Sequence, residues 1–94
     1  MIVLNVTYTC RPGMRGAFLE RISAEGIGAA SRAEDGNIGY DYFIPVEGDG
    51  EVLLVEKWRD EEALAAHAAA PHFGKLKELK PIYVVDTVIE RFKV

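Results

Sequence analysis

One segment constrains the fold more than any other, residues 51–76, which read EVLLVEKWRDEEALAAHAAAPHFGKL. The unbroken apolar β-formers Val52–Val55 predict a strand buried on both faces. Asp60 is suited to cap a helix, and the two glutamates that follow it suit the positive end of the helix dipole. We therefore predict a helix over residues 61–70, ended by Pro71, and a shorter helix over the eight residues after the proline.

The rest of the chain supplies a long helix and further strands. An apolar stripe predicts a helix from Met14 to Ala33. Gly26 and Gly28 weaken its middle, so we expect a kink, a break or close backbone packing there. The turn-forming residues 46–50 predict a hairpin into the strand after them. Alternation of apolar and polar side chains, or a run of β-branched residues, predicts the other strands: Ile2–Cys10, Ile38–Ile44 and Ile82–Phe92.

The resulting order β-α-β-β-α-β predicts an α+β fold of the ferredoxin-like type, a four-stranded antiparallel sheet with helices on one face. All 94 residues fit one domain. The other sheet face would expose apolar side chains, and a homodimer partner is the simplest cover for it. The side chains expected on that open face are Val3, Phe43, Leu53, Val55, Tyr83, Val85 and Ile89.

Composition excludes several classes of function. The net charge of -4 argues against a nucleic-acid binder that relies on a basic surface. The single cysteine, Cys10, permits neither an internal disulfide nor a CxxC zinc motif, so the cytoplasm is the expected location. The N-terminus does not resemble a signal peptide, and we expect no membrane association. No glycine-rich segment has the spacing of a phosphate-binding loop.

Three motifs together carry a resemblance to a known family. They are the RPG turn at Arg11–Gly13, the EDGN-x-GY segment at Glu34–Tyr40 and the pattern ExWxDEEALxxHxxxPHF at Glu56–Phe73. In this order and spacing the chain resembles, over nearly its whole length, the antibiotic biosynthesis monooxygenase (ABM) domains. The resemblance implies a dimeric α+β barrel, in which two such sheets pack together.

The same resemblance implies three kinds of chemistry. Family members include cofactor-independent monooxygenases acting on phenols or quinols, isomerases of phosphorylated autoinducers, and haem-degrading enzymes. Haem cleavage is disfavoured here, because the positions that hold asparagine, tryptophan and histidine in haem degraders are Val6, His67 and Lys77 in this chain. The proximal histidine is therefore missing.

His67 is the candidate catalytic residue. It shares a helix face with Leu64 and Ala68, so the packing that buries Leu64 also turns the imidazole inward. A neutral imidazole could accept a phenolic proton in a monooxygenase or remove a proton beside a carbonyl in an isomerase. A core histidine hydrogen-bonded to its neighbours is the alternative interpretation.

Several side chains could contact a flat substrate beside His67, although each has a structural alternative such as core packing or a polar position on a sheet face. Five residues separate His67 from His72 across a proline, which is not the i, i+4 spacing of a helical metal site, so we predict no metal. Glu56 is expected to form an ion pair with Lys57 or Arg59. The candidate substrate-binding residues are Asn5, Tyr40, Tyr42, Trp58, His72 and Phe73.

These observations favour a cofactor-independent monooxygenase that oxidises a phenolic or quinol-type molecule with O2. One alternative is an isomerase of a small phosphorylated carbonyl compound, with phosphate held by Arg32, Lys75 or Lys77. A non-catalytic ligand-binding dimer is the other. The expected partners are a small aromatic or carbonyl substrate and a second copy of the chain.

Overall fold

Four strands and four helices make up the protein in the computed structural model, which describes residues 1–94. None of the helices is both long and apolar enough to cross a membrane. In chain order the elements are β1 (Ile2–Cys10), α1 (Arg15–Ala24), α2 (Ile27–Arg32), β2 (Asn37–Phe43), β3 (Glu51–Trp58), α3 (Glu61–Ala68), α4 (Pro71–Tyr83) and β4 (Val84–Lys93).

The strands form one antiparallel sheet in the order β2-β3-β1-β4, and the helices cover one of its faces. This is the α+β ferredoxin-like fold that the sequence predicted, including the hairpin of β2 with β3. The register aligns Val6 of β1 with Leu54 of β3 and with Ile89 of β4. Because directly opposed residues point to the same side, these three side chains all face the helices.

The core lies between the sheet and the helices. Trp58 and Leu54 of β3, Tyr40 of β2 and Phe18 of α1 are at most 1% exposed. The central strands β1 and β3 place every second side chain in this layer, which is the alternation of a sheet covered on one face. The central strands thus provide a rigid floor beneath α3 and α4.

The helical regions match the sequence prediction at one point and differ from it at another, because α4 has 13 residues and is longer, not shorter, than α3 with 8. The break expected near the glycines is confirmed, since Gly26 has φ +66° and separates α1 from α2. The last strand, however, begins at Val84 rather than at Ile82, because α4 continues through Pro81 to Tyr83. The Arg11 guanidinium donates to the carbonyls of Pro81 and Ile82, so the β1–α1 turn holds this last helical turn in place.

The open sheet face has the expected apolar character, with three corrections to its membership. Tyr83 belongs to α4 and is buried, Ile89 faces the helices, and Val85 lies where the β1–β4 register shifts. Val88 and Phe92 take their place, opposite Thr7 and Val3. The apolar side chains of this face are Val3, Phe43, Leu53, Val55, Val88 and Phe92, of which Phe43, Val88 and Phe92 are 45–52% exposed.

Candidate active site

His67 is held inside the protein by the start of α3. The Asp60 carboxylate accepts a hydrogen bond from the Ala63 N–H at 2.9 Å, which caps the helix as the sequence predicted. Two turns later the His67 side chain is only 3% exposed. Its ring lies 4.6 Å from the Trp58 ring and 5.6 Å from the Tyr40 ring, measured between centroids, so packing fixes its orientation.

One carboxylate oxygen joins both histidines. Oε2 of Glu34 lies 2.5 Å from Nδ1 of His67 and 2.8 Å from Nε2 of His72. A carboxylate only accepts hydrogen bonds, so each imidazole donates an N–H to it. In a neutral His67 the single ring proton is then on Nδ1, and Nε2 is free to accept a proton.

Gly36 allows the turn that carries Glu34 to approach α3. Its φ is +84°, a region that favours glycine, and a Cβ built on it would lie 2.6 Å from the Cβ of Ala63. The Gly36 carbonyl also accepts a hydrogen bond from the Arg59 N–H at 2.8 Å. Any side chain at this position would push the turn, and Glu34 with it, away from the histidines.

Glu56 is the second carboxylate beside His67. The Trp58 indole N–H donates to its Oε1 at 3.0 Å, and the same oxygen lies 3.8 Å from Nε2 of His67. Burial raises the pKa of the Glu56 carboxyl, against the opposing influence of Trp58 and His67. The predicted ion pair with Lys57 or Arg59 is wrong, because Glu56 faces the helices and the side chain of Lys57 faces the other side of the sheet.

A cavity of about 190 Å³ opens next to these groups, between the sheet and helices α3 and α4. Most of its wall is apolar. The polar side chains that line it are Glu56 and His67, together with Lys77, Lys80 and Thr87. An apolar cavity with a few convergent polar groups is the usual form of a small-molecule site.

The predicted substrate-binding residues are distributed around this cavity unequally. Phe73 lines it, whereas Tyr40 and Trp58 pack against the His67 ring. Tyr42 instead lines a separate cavity of about 220 Å³ between α1, α2 and β2. Asn5 is opposite Val55 on the open face, so its assignment to this cavity is wrong: the strand alternation directs it away from the helices.

Sequence reasoning missed two residues of the site. Glu34 was named only as the first residue of the EDGN-x-GY motif, and no local pattern connects it to the histidines 33 and 38 positions later. Glu56 did carry a signal, because it alternates with Val52, Leu54 and Trp58 and therefore lies on their buried face. A carboxylate on a buried strand face indicates a functional or paired group.

The structure also brings three metal-ligating groups together. Ligand atoms of Glu34, His67 and His72 all lie within 4.8 Å of one another. The i, i+4 spacing of a metal site applies within a single helix, whereas His67 lies in α3 and His72 in the first turn of α4. Pro71 begins α4 and thereby redirects the chain so that both rings face Glu34.

Fold and site together define an α+β protein with a largely apolar cavity between its sheet and its helices. The chain belongs to the antibiotic biosynthesis monooxygenase family, whose model matches residues 1–79. It is 39% identical over 93 residues to the Bacillus subtilis (strain 168) protein described as "Putative monooxygenase YcnE". The aligned region covers 93% of this chain and 96% of that protein.

Solved structures show the same architecture. PA3566 from Pseudomonas aeruginosa superposes with a TM-score of 0.89 at 27% identity, covering 99% of this chain and 92% of the other. Rv0793 from Mycobacterium tuberculosis has a TM-score of 0.88 at 24% identity, covering 99% and 93%. The resemblance found in the sequence is thereby confirmed, and family membership supports a monooxygenase-like function.

Proposed function

We propose that the protein is a cofactor-independent monooxygenase that oxidises a phenolic or quinol-type small molecule with O2. The observation that carries the proposal is the position of His67, whose Nδ1 is hydrogen-bonded to Glu34 while the residue itself lines an otherwise largely apolar cavity. A base of defined tautomer in an apolar pocket suits the deprotonation of a phenol.

In this mechanism Nε2 of His67 accepts the phenolic proton. The substrate becomes an electron-rich phenolate, or its carbanion form, while Glu34 stabilises the imidazolium through Nδ1–H. The neighbouring Glu56 lies 3.8 Å from the nitrogen that receives the proton. Phe73 offers an aromatic face against which a flat substrate ring can pack.

The deprotonated substrate then reduces O2 directly. One oxygen atom forms the new carbonyl of a quinone-type product at a ring carbon that carried a hydrogen. The second oxygen leaves as water with that hydrogen and the phenolic hydrogen, so the substrate itself supplies all four electrons that reduce O2. The protein contributes orientation and exclusion of water.

The second copy of the chain completes the proposed functional unit. Phe43, Val88 and Phe92 are exposed on the open face beside half-buried apolar neighbours. A second sheet packed on this face would remove them from water without covering the cavity, which lies on the helix side. We therefore include a homodimer in the proposal.

An isomerase acting on an anionic carbonyl compound is the second candidate. Lys77 and Lys80 line the same cavity and would attract a negatively charged group. The other predicted phosphate ligands are engaged elsewhere, since Arg32 donates to the Tyr40 carbonyl at 2.8 Å and Lys75 is 3.8 Å from Glu25. A ligand-binding dimer without catalysis is the remaining alternative.

Oxygen uptake tests the proposal. Metal-free protein is mixed with a panel of quinols and polycyclic phenols, and wild type is compared with His67→Gln and with the surface control Glu62→Gln. The mechanism is supported if oxygen uptake requires wild-type protein, persists in Glu62→Gln and falls about 100-fold or more in His67→Gln. Equal rates in wild type and His67→Gln would exclude His67 as the base. No uptake with any substrate would favour the isomerase, tested next with phosphorylated carbonyl compounds.

A further inference from the structure

Glu34, His67 and His72 come from three separate parts of the chain and converge on one point. Glu34 lies in the turn before β2, His67 in α3 and His72 at the start of α4. Their side chains are 14%, 3% and 15% exposed. We propose that these three residues form a binding site for a divalent transition-metal ion, with two imidazole nitrogens and one carboxylate as ligands.

The distances between the ligand atoms are close to what such an ion requires. Zinc binds imidazole nitrogen and carboxylate oxygen at about 2.0–2.2 Å, which separates neighbouring ligand atoms by about 3.3 Å in a tetrahedral site. The two nitrogens now lie 2.5 and 2.8 Å from Oε2 of Glu34, so this carboxylate must recede by less than about 1 Å. Glu34 has a long side chain on a turn, so such a shift requires little free energy.

A second observation supports a metal at this point independently of the three ligands. A metal-bound histidine usually donates its other ring N–H to a carboxylate. Nε2 of His67, on the ring side away from Glu34, lies 3.8 Å from Oε1 of Glu56, and that oxygen is held by the Trp58 indole. The order carboxylate, histidine, metal is thus within about 1 Å of being complete around His67, because an N–H···O hydrogen bond spans about 2.9 Å.

The donor set also selects among metals. Two imidazoles and a carboxylate suit Zn²⁺, Fe²⁺, Co²⁺ or Ni²⁺, whereas Mg²⁺ and Ca²⁺ prefer all-oxygen sites. The three protein ligands leave at least one coordination position open to water. His72 and Glu34 retain some solvent exposure and provide the route by which an ion would enter.

Metal binding would reverse the tautomer of His67. An ion on Nδ1 leaves the single proton of the neutral ring on Nε2, where it can donate to Glu56 but can no longer accept a proton. If the proposed function is correct, the metal-bound protein is therefore its inactive form, and the ion acts as an inhibitor. Binding itself does not depend on that function.

Metal titration without substrate tests the site. Full-length protein stripped with a chelator is titrated with Co²⁺, followed by visible absorption, and with Zn²⁺, followed by calorimetry. We expect one ion per chain, and a loss of affinity of at least tenfold in both His72→Gln and Glu34→Gln. Glu62→Gln, which removes an exposed carboxylate elsewhere on α3, should bind as wild type does. His72 is partly exposed, so its variant is expected to fold, which circular dichroism checks.

Nuclear magnetic resonance of histidine nitrogens gives a second readout that needs no activity. Zn²⁺ is expected to move the His67 proton from Nδ1 to Nε2. The proposal is overturned if Co²⁺ and Zn²⁺ show no saturable binding, if His72→Gln binds as tightly as wild type, or if Zn²⁺ leaves the His67 proton on Nδ1. A failure of the proposed oxidation would appear separately, as absent oxygen uptake by metal-free protein.

Discussion

Oε2 of Glu34 lies 2.5 Å from Nδ1 of His67, which joins a turn residue to a helix residue 33 positions later in the chain. Through this contact the turn before β2 sets the tautomer of the buried imidazole. The same oxygen also receives the N–H of His72, so one side chain organises both histidines of the protein.

Replacing Glu34 tests this positioning role. In Glu34→Gln the amide keeps the shape but loses the charge that favours a proton on Nδ1 and stabilises the imidazolium. We expect kcat for oxygen uptake to fall about 10- to 100-fold with little change in KM, because the cavity itself is untouched. Steady-state kinetics beside Glu62→Gln measures this, and an unchanged kcat would remove Glu34 from the mechanism.

Gly36 offers a test of how the turn is docked. Alanine there must adopt φ +84° and also meets Ala63 at 2.6 Å, so we expect a loss of about 2–3 kcal/mol in the free energy of unfolding. Gly48 is the matched control, because its φ is +86° and a Cβ added to it would have no atom within 4 Å. Gly48→Ala should lower the free energy of unfolding by only about 1 kcal/mol. Equal losses in urea denaturation would show that the contact with Ala63 does not matter.

The Asp60 cap gives the stability a defined dependence on pH. The Ala63 N–H, followed by Arg59, lowers the pKa of the Asp60 carboxyl below its usual 3.8. A carboxyl with a lowered folded-state pKa stabilises the protein above its unfolded-state pKa, and this contribution disappears as the pH falls through the folded-state value. Asp60→Ala should therefore lower the melting temperature at pH 7, with the difference from wild type shrinking below about pH 4. A constant difference between pH 7 and pH 2 would contradict the capping role.

The open sheet face predicts the assembly state. Val88→Glu places a charge among apolar side chains that the proposed homodimer buries, so we expect the variant to be monomeric at concentrations where wild type is dimeric. Val46→Glu, in a fully exposed loop, is the control. Light scattering coupled to gel filtration gives the mass. A monomeric wild type would contradict the proposed homodimer. A dimeric Val88→Glu would show that the dimer interface lies on another surface.

Local patterns predicted the fold well because its elements carry their own signals. Asp60 starts α3, Pro71 separates it from α4, and strict alternation in β1 and β3 indicates which side chains face the helices. The end of α4 was missed because proline disfavours the interior of a helix, and Arg11, from a distant part of the chain, holds that last turn in place.

The candidate site was predictable only in part, because some of its contacts join residues that are far apart in the chain. The inward direction of His67 follows from helix periodicity. The position of Phe73 follows from the first helical turn after Pro71. The role of Glu34 depends on how the turn before β2 docks on α3, which is a long-range contact that no local periodicity encodes. Asn5 was misplaced because alternation defines two faces of β1 without stating which one meets the substrate.

The central claim is that Glu34 holds the His67 proton on Nδ1 and leaves Nε2 free to act as the base. Long-range proton–nitrogen correlation spectra of metal-free protein labelled with ¹⁵N-histidine measure this directly, with His67→Gln used to assign the signals. We predict that in the neutral ring Nδ1 of His67 carries the proton and Nε2 resonates as an unprotonated nitrogen. A proton found on Nε2 under the same conditions would contradict the account.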